Sequence, residues 1–235
     1  MVKTMDNGST IEQAQFRSGV ASIALELFVS QGYEATSVDE IAQAAGISRS
    51  KFFRQFRSKE DVIFADHETL LEQAEMLLAR KHDDPWEAVC RAAAMVFEHF
   101  AKQVETSRQR YQVVNAVPAL RDRELVTVFR YERLFGQHLR DSVPGLPPLD
   151  AVRFAATVIS THNYLLRELM RNERELDVGE LQAALDDVRR LYGVLAPADA
   201  RPPAEEEVVV AVFPKSLPPA ELARRLQQKL QGSKF

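Results

Sequence analysis

Three serines set at short intervals, Ser37, Ser48 and Ser58, confine the segment between Gly32 and Asp61 to very short helices. A serine hydroxyl accepts a hydrogen bond from a backbone N–H two or three residues on, which fixes where a helix begins. Glu40, three residues after Ser37, completes a capping box, and Asp61 stands in the same relation to Ser58. Gly46 supplies the left-handed residue that ends the helix begun at Ser37 after barely two turns. The next helix starts at once from Ser48, with Ile47 placed to staple onto Phe52. Two short helices joined by a tight glycine turn make a helix-turn-helix.

A longer helix is expected before this unit, over about residues 10–31. Ser9 and Glu12 give its capping box, Phe16, Val20, Ile23, Leu27 and Phe28 its apolar stripe, and Gly32 its end. After Ser58 a long fourth helix should run to about residue 80 through Val62, Ile63, Leu70, Leu71, Leu77 and Leu78. Helical periodicity then covers about 85–105, 107–116, 119–142, 149–173 and 178–195, with prolines or a glycine at the breaks. Nine glycines in 235 residues, against abundant Ala, Leu, Glu, Arg and Gln, agree with an all-α fold. After Leu195 come Pro197, Pro202, Pro203 and the acidic run Glu205 to Glu207, which read as a linker. Val208 to Phe213 reads as a strand, and Leu222, Leu226 and Leu230 as the stripe of a last helix. The domains expected are 1–58, the helix-turn-helix; 59–196, a helical body; and 197–235, a linker with a strand-helix appendage.

A net charge of −4 disfavours a nucleic-acid partner on average, but the charge is unevenly spread. Between Gly46 and Lys59 stand Arg49, Lys51, Arg54, Arg57 and Lys59 with no acid. On a helical wheel Phe52 and Phe56 point one way, and Ser50, Lys51 and Arg54 the other, flanked by Arg49 and Phe53. A helix that is apolar inward and basic outward fits the DNA major groove, where Arg and Lys donate to guanine and hydroxyls serve base or phosphate. The competing readings are a solvated charged face on a helical adaptor that meets an acidic protein, and a small enzyme.

The linked stretches Ala24-Leu25-Glu26-Leu27-Phe28, Gly32-Tyr33-Glu34-Ala35-Thr36-Ser37-Val38, Ile41-Ala42, Ala45-Gly46-Ile47-Ser48 and Phe56-Arg57-Ser58-Lys59-Glu60-Asp61 resemble the DNA-binding domain of TetR-family transcriptional regulators. The resemblance covers about residues 11–65. It implies helices 1–3 as a DNA domain, helix 4 as the connector to a ligand domain, and the last two helices as a dimer interface. Carried over by position, it puts Ser48, Arg49, Ser50, Lys51, Phe53 and Arg54 at the groove, and Ser37 and Lys59 on phosphates. Phe53 replaces the tyrosine usual in the family, and Lys51 its threonine or alanine. The partners implied are a palindromic operator, a small-molecule effector that releases it, and a second copy of the chain, with repression the usual mode.

For the effector site, the aromatic residues Phe97, Phe100, Tyr111, Phe129 and Tyr164, with His162 and Asn163 as polar neighbours, are the candidate lining. The stripes Phe154, Val158, Leu165, Leu169 and Leu181, Leu185, Val188, Leu191 are expected to exceed one subunit's core and to form the dimer face. His67, His82, His99, His138 and His162 are scattered without metal-ligand spacing, so no metal is expected. The chain has no phosphate-cradling glycine motif and no nucleophile turn, so neither a cofactor nor a catalytic residue is expected, and Cys90 reads as a buried small hydrophobe. No run approaches the ~20 apolar residues of a membrane span. With a polar start and a single cysteine, a cytoplasmic location is expected.

Overall fold

A computed structural model describes residues 7–171, 176–195 and Ala223. Its elements are α1 (Asn7–Gln31), α2 (Val38–Ala44), α3 (Arg49–Gln55), α4 (Lys59–Ile63), α5 (Ala65–Leu78), α6 (Pro85–Lys102), α7 (Val104–Ala116), α8 (Pro118–Ser142), α9 (Pro148–Arg171) and α10 (Val178–Leu191). The described residues contain no strand, in agreement with the all-α reading. The appendage expected over 197–235 lies outside the described residues, apart from Ala223.

The starts of these helices follow local chemistry. Ser37, Ser48 and Ser58 each accept from the backbone N–H three residues on, and Ser37 and Glu40 close the capping box. Asp84 accepts from Trp86 and Glu87 ahead of Pro85, whose missing N–H costs nothing at a first helical position. Asp177 and Glu180 form a second box at α10. Two boundaries differ from expectation. α1 begins at Asn7, so Ser9 lies inside the helix rather than before it. The long fourth helix is broken at Phe64, whose backbone (φ −102°, ψ 11°) leaves the helical region while its side chain is buried.

The side chains pack into two cores. The N-terminal one joins Val20, Ala24, Leu25 and Phe28 of α1 to Ile41, Phe52, Phe56, Val62 and Phe64. The larger one fills the body from α5 to α10. Val113 and Val114 of α7, with Leu120 of α8, belong to the N-terminal core, whereas Tyr111 of the same α7 packs on the body. Like α5 and α8, α7 thus contributes to both cores.

The apolar stripes of α9 and α10 are not surplus to one subunit. Phe154, Val158, Leu165, Leu169, Leu181, Leu185 and Val188 are all buried within it, and Leu191 alone stands out, 76% exposed. The reason is the central place of α9, which packs against α6, α7, α8 and α10. The large apolar side chains left open on α9 are instead Leu149, Val152 and Tyr164.

Candidate nucleic-acid interface and ligand pocket

The turn between α2 and α3 is built by the backbone. Gly46 takes φ +64°, a region costly for any side chain with a Cβ. Ile47 N–H then bonds the Ala42 carbonyl at 2.9 Å, and Gly46 N–H bonds Gln43 at 3.1 Å, which is the Schellman closure. From Ser48 the chain enters α3 with Phe52 and Phe56 turned into the core, their ring centroids 5.2 Å apart.

Ser48, Arg49, Ser50, Lys51, Phe53 and Arg54 are all exposed, on the face opposite to those rings. Several are held in place. Arg49 pairs with Asp39 at 2.5 Å and lies over Phe53, while the Lys51 ammonium sits 4.5 Å from the centre of Phe16. Arg54 points to solvent and meets no charged partner among the described residues. A contact that sequence reasoning missed secures the far end of α3: Arg17 Nη1 of α1 donates to the Gln55 carbonyl at 2.8 Å, with its guanidinium over Phe56. Only an arginine on the inner side of α1 hinted at it.

Ser37 is exposed at the start of α2, and its hydroxyl is engaged with Glu40. Lys59, expected on a phosphate, makes contacts of its own within the chain. Its Nζ donates to the Tyr33 carbonyl at 2.9 Å, reaches that of Thr36 at 3.5 Å, and lies 4.0 Å from the centre of the Tyr33 ring. Only 20% of the side chain is exposed, because the α1–α2 loop folds over it. Tyr33 in turn donates to Glu60 at 2.5 Å. Lys59 therefore ties the loop ahead of α2 to the start of α4.

In the body, a cavity of about 310 Å³ opens between α5, α6, α7, α8 and α9. Three of the expected lining residues, Tyr111, His162 and Asn163, face it. The other four do not. Phe97 and Phe100 are core residues behind its wall, Phe97 standing edge-on to His162 at 6.0 Å. Phe129 (62% exposed) and Tyr164 (59% exposed) lie on the outer sides of α8 and α9, since the inward sides are taken by Tyr131 with Phe135 and by His162 with Leu165.

The lining residues that sequence reasoning passed over are mostly polar: His67, Arg110, Asn115, Glu124, Thr127, Tyr131, Arg167 and Arg171. Arg110 is buried, with its guanidinium 5.0 Å from the Phe100 ring and its nearest carboxylate, Glu124, at 3.8 Å. Its Nε and Nη1, both ring nitrogens of His67, and Nε2 of His162 are buried without a hydrogen-bond partner. His162 Nδ1 lies 3.0 Å from Asn163 Oδ1. Burial lowers both imidazoles, His67 well below its ordinary value and His162 to about 4, so both are neutral near pH 7. Cys90 is buried apart from this cavity, its thiol pushed up to about 12 by burial, and has no nucleophilic character.

Cavity and N-terminal domain are joined through α5, α7 and α8, and on α5 His67 lines the cavity two residues after Ala65 of the N-terminal core. Arg110, Tyr111 and Asn115 of α7 line the cavity, and Val113 and Val114 between them enter the N-terminal core. On α8, Arg123 hydrogen-bonds Asp61 of α4, and Arg130 grips Glu68 of α5 through two bonds of 2.5 and 3.1 Å. Among the described residues no helix is long and apolar enough to cross a membrane, and no cluster of three metal-ligating side chains occurs.

Comparison with known proteins gives one consistent picture. Residues 22–65 match the model of "Bacterial regulatory proteins, tetR family". The protein named mycofactocin biosynthesis transcriptional regulator MftR, of Mycobacterium tuberculosis, is 28% identical over 160 residues, which are 63% of this chain and 79% of that protein. Among solved structures, native NalD of Pseudomonas aeruginosa, described as the secondary repressor of the MexAB-OprM multidrug efflux pump, superposes with a TM-score of 0.55. It is 20% identical, over 76% of this chain and 96% of NalD. A complex of SmeT with triclosan superposes with a TM-score of 0.57 at 18% identity, over 82% of this chain and all of that one. At such identities the structural likeness speaks for the fold.

Proposed function

We propose that this chain is a DNA-binding transcriptional regulator of the tetR family, a repressor that a small organic ligand releases from its operator. The observation that carries the reading is the exposed, acid-free face of α3, presented by a glycine turn and held at both ends by Ser48 and Arg17. Ser50, Lys51 and Arg54 would meet base edges, and Ser37, Ser48, Arg49 and Phe53 would settle the helix against the backbone. The setting is the bacterial cytoplasm, where the operator lies.

The regulator works as a homodimer on a two-fold symmetric site, through the outer sides of α9 and α10, where Val152 and Leu191 are open. Two recognition helices are used together only when their spacing matches half-sites about 34 Å apart, one helical turn. A modest rotation of either N-terminal domain breaks the match. The body cavity is the effector site, and α7, shared by cavity and N-terminal core, carries the rotation; residues 1–58 and 59–196 are the two parts that move. SmeT with triclosan shows a neighbour of this fold holding a small molecule.

Selection of binding sites from a randomised duplex pool by the full chain tests the reading. It should enrich a palindrome with half-sites one or two turns apart. No enriched sequence would leave the basic face to an acidic protein partner. Light scattering of the wild type should give twice the 26.6 kDa chain mass, and of a V152E/L191E variant the chain mass itself.

A further inference from the structure

We infer that the ligand of the body cavity is a small amphipathic anion, an apolar molecule bearing one carboxylate or equivalent acid, whose head group is held by Arg110 with His67 as its hydrogen-bonding neighbour. The inference rests on the reading of that cavity as the effector site and adds the chemical class of the effector.

The first argument is the uncompensated charge at the cavity wall. A guanidinium taken out of water costs several kcal/mol unless it is paired and hydrogen-bonded. Arg110 is buried, yet two of its three nitrogens have no hydrogen-bond partner among the described residues, and its nearest carboxylate, Glu124, stands at 3.8 Å, beyond hydrogen-bond length. The Phe100 face at 5.0 Å offsets a part of the cost and fixes the orientation of the guanidinium. An anion entering the cavity would restore the missing partner, and charge-assisted bonds to guanidinium are about twice as strong as neutral ones.

The imidazoles give the second argument. His67 keeps both buried ring nitrogens without a partner among the described residues and, being neutral, offers one N–H and adds no charge, whereas the one N–H of neutral His162 is spent on Asn163 Oδ1 and leaves Nε2 an acceptor. A head group with two or more acceptor oxygens can be met by Arg110 and His67 together, whereas an ammonium head would face Arg110, Arg167 and Arg171, with Glu124 the one carboxylate of the lining. The rest of the lining includes the apolar Ala93, Val96, Val128, Phe135, Ile159 and Leu166. At about 310 Å³ the space is at the small end of ligand pockets. An apolar body with a single acidic end is the ligand that satisfies both kinds of lining.

Calorimetry with matched pairs tests this, using octanoate, 4-phenylbutanoate and 2-naphthoate against their neutral amides at pH 7.5, where the acids are ionised. On the wild-type full chain, at least one carboxylate should bind about tenfold or more tightly than its amide. The R110M variant should lose that preference and, being relieved of a buried charge, melt no lower than wild type. E124Q, which removes the competing carboxylate, should strengthen carboxylate binding severalfold. Amides binding as tightly as acids, an R110M preference equal to wild type, or no binding by any of the six compounds at millimolar concentration would each overturn the assignment. Operator retention in the same samples separates it from the effector reading. Release by the amides alone keeps the effector site and removes the anion, while carboxylate binding without release keeps the anion site and removes the switch.

Discussion

Arg110 and Val113 lie three residues apart on α7, yet the first lines the cavity of the body and the second is buried in the core of the N-terminal domain. A helix is stiff over a single turn, so a displacement that suits a ligand at Arg110 also moves Val113 and Val114 against α1 and α4.

Loosening that grip should therefore weaken communication while leaving both sites present. Val114 is fully buried, and Val114→Ala should cost roughly 2 kcal/mol of stability through lost packing and the cavity left behind. It should also shrink the factor by which operator changes ligand affinity, a factor that linkage makes reciprocal. Ligand titrations with and without operator measure it. A factor equal to that of the wild type would move the coupling elsewhere, to α5, which carries both His67 and Ala65, or to α8 with its Arg123–Asp61 and Arg130–Glu68 pairs.

Gly46→Ala should lower stability by about 1–2 kcal/mol through backbone strain alone. A methyl group there meets nothing within 4 Å, so the cost comes from φ +64° and not from a clash. Gly46→Asn should cost less, because asparagine tolerates this region better. Equal melting temperatures for all three proteins would contradict the account of the turn.

Lys59→Met should act on the fold of the N-terminal domain. It removes the bond to the Tyr33 carbonyl and the cation over the Tyr33 ring, together about 1–3 kcal/mol. Thermal melts should show the loss, and hydrogen exchange should locate it in the loop ahead of α2. Unchanged melting with a large drop in non-specific DNA affinity would return Lys59 to the phosphate role.

Acid should destabilise the body at a pH where most carboxylates are still ionised. Burial holds His162 at about 4, against an ordinary 6.5, so the folded protein keeps it neutral while the unfolded chain takes up a proton below 6.5. The stability tied to neutral His162 is thus complete above pH 6.5 and is lost as the pH falls towards 4, with His67 acting in the same direction. Urea midpoints at pH 7.5 and 5 should differ, and His162→Gln should reduce the difference. An unaltered difference in that variant would contradict the burial of a neutral ring.

The recognition unit was legible in the sequence because its signals are local. A serine with an acid three residues on and a closing glycine fix the two ends of α2, and a serine fixes the start of α3, through bonds that span only a few residues. The cavity was only partly legible. Aromatic content drew attention to Phe97, Phe100, Phe129 and Tyr164, but whether a ring lines a cavity, fills a core or faces solvent depends on neighbours far along the chain. Arg110 was missed for the same reason, since nothing around it in the sequence separates a buried arginine from a solvated one. The dimer stripe was misjudged because α9 meets four other helices, and a face that looks surplus on one helix is consumed when four neighbours cover it. Lys59 turned inward because the Tyr33 carbonyl, 26 residues away, was there to receive it.

Titration of the full chain on a selected duplex and on its scrambled counterpart, across a range of salt concentrations, tests most directly that α3 reads DNA. The account predicts that log affinity falls linearly with log salt on both duplexes, with a slope near −0.9 for each phosphate neutralised. It further predicts that Arg54→Ala costs about 1–3 kcal/mol on the selected duplex and much less on the scrambled one, since only a base-edge contact carries sequence information. Affinity that does not respond to salt, or an Arg54→Ala variant with the specificity ratio of the wild type, would contradict it.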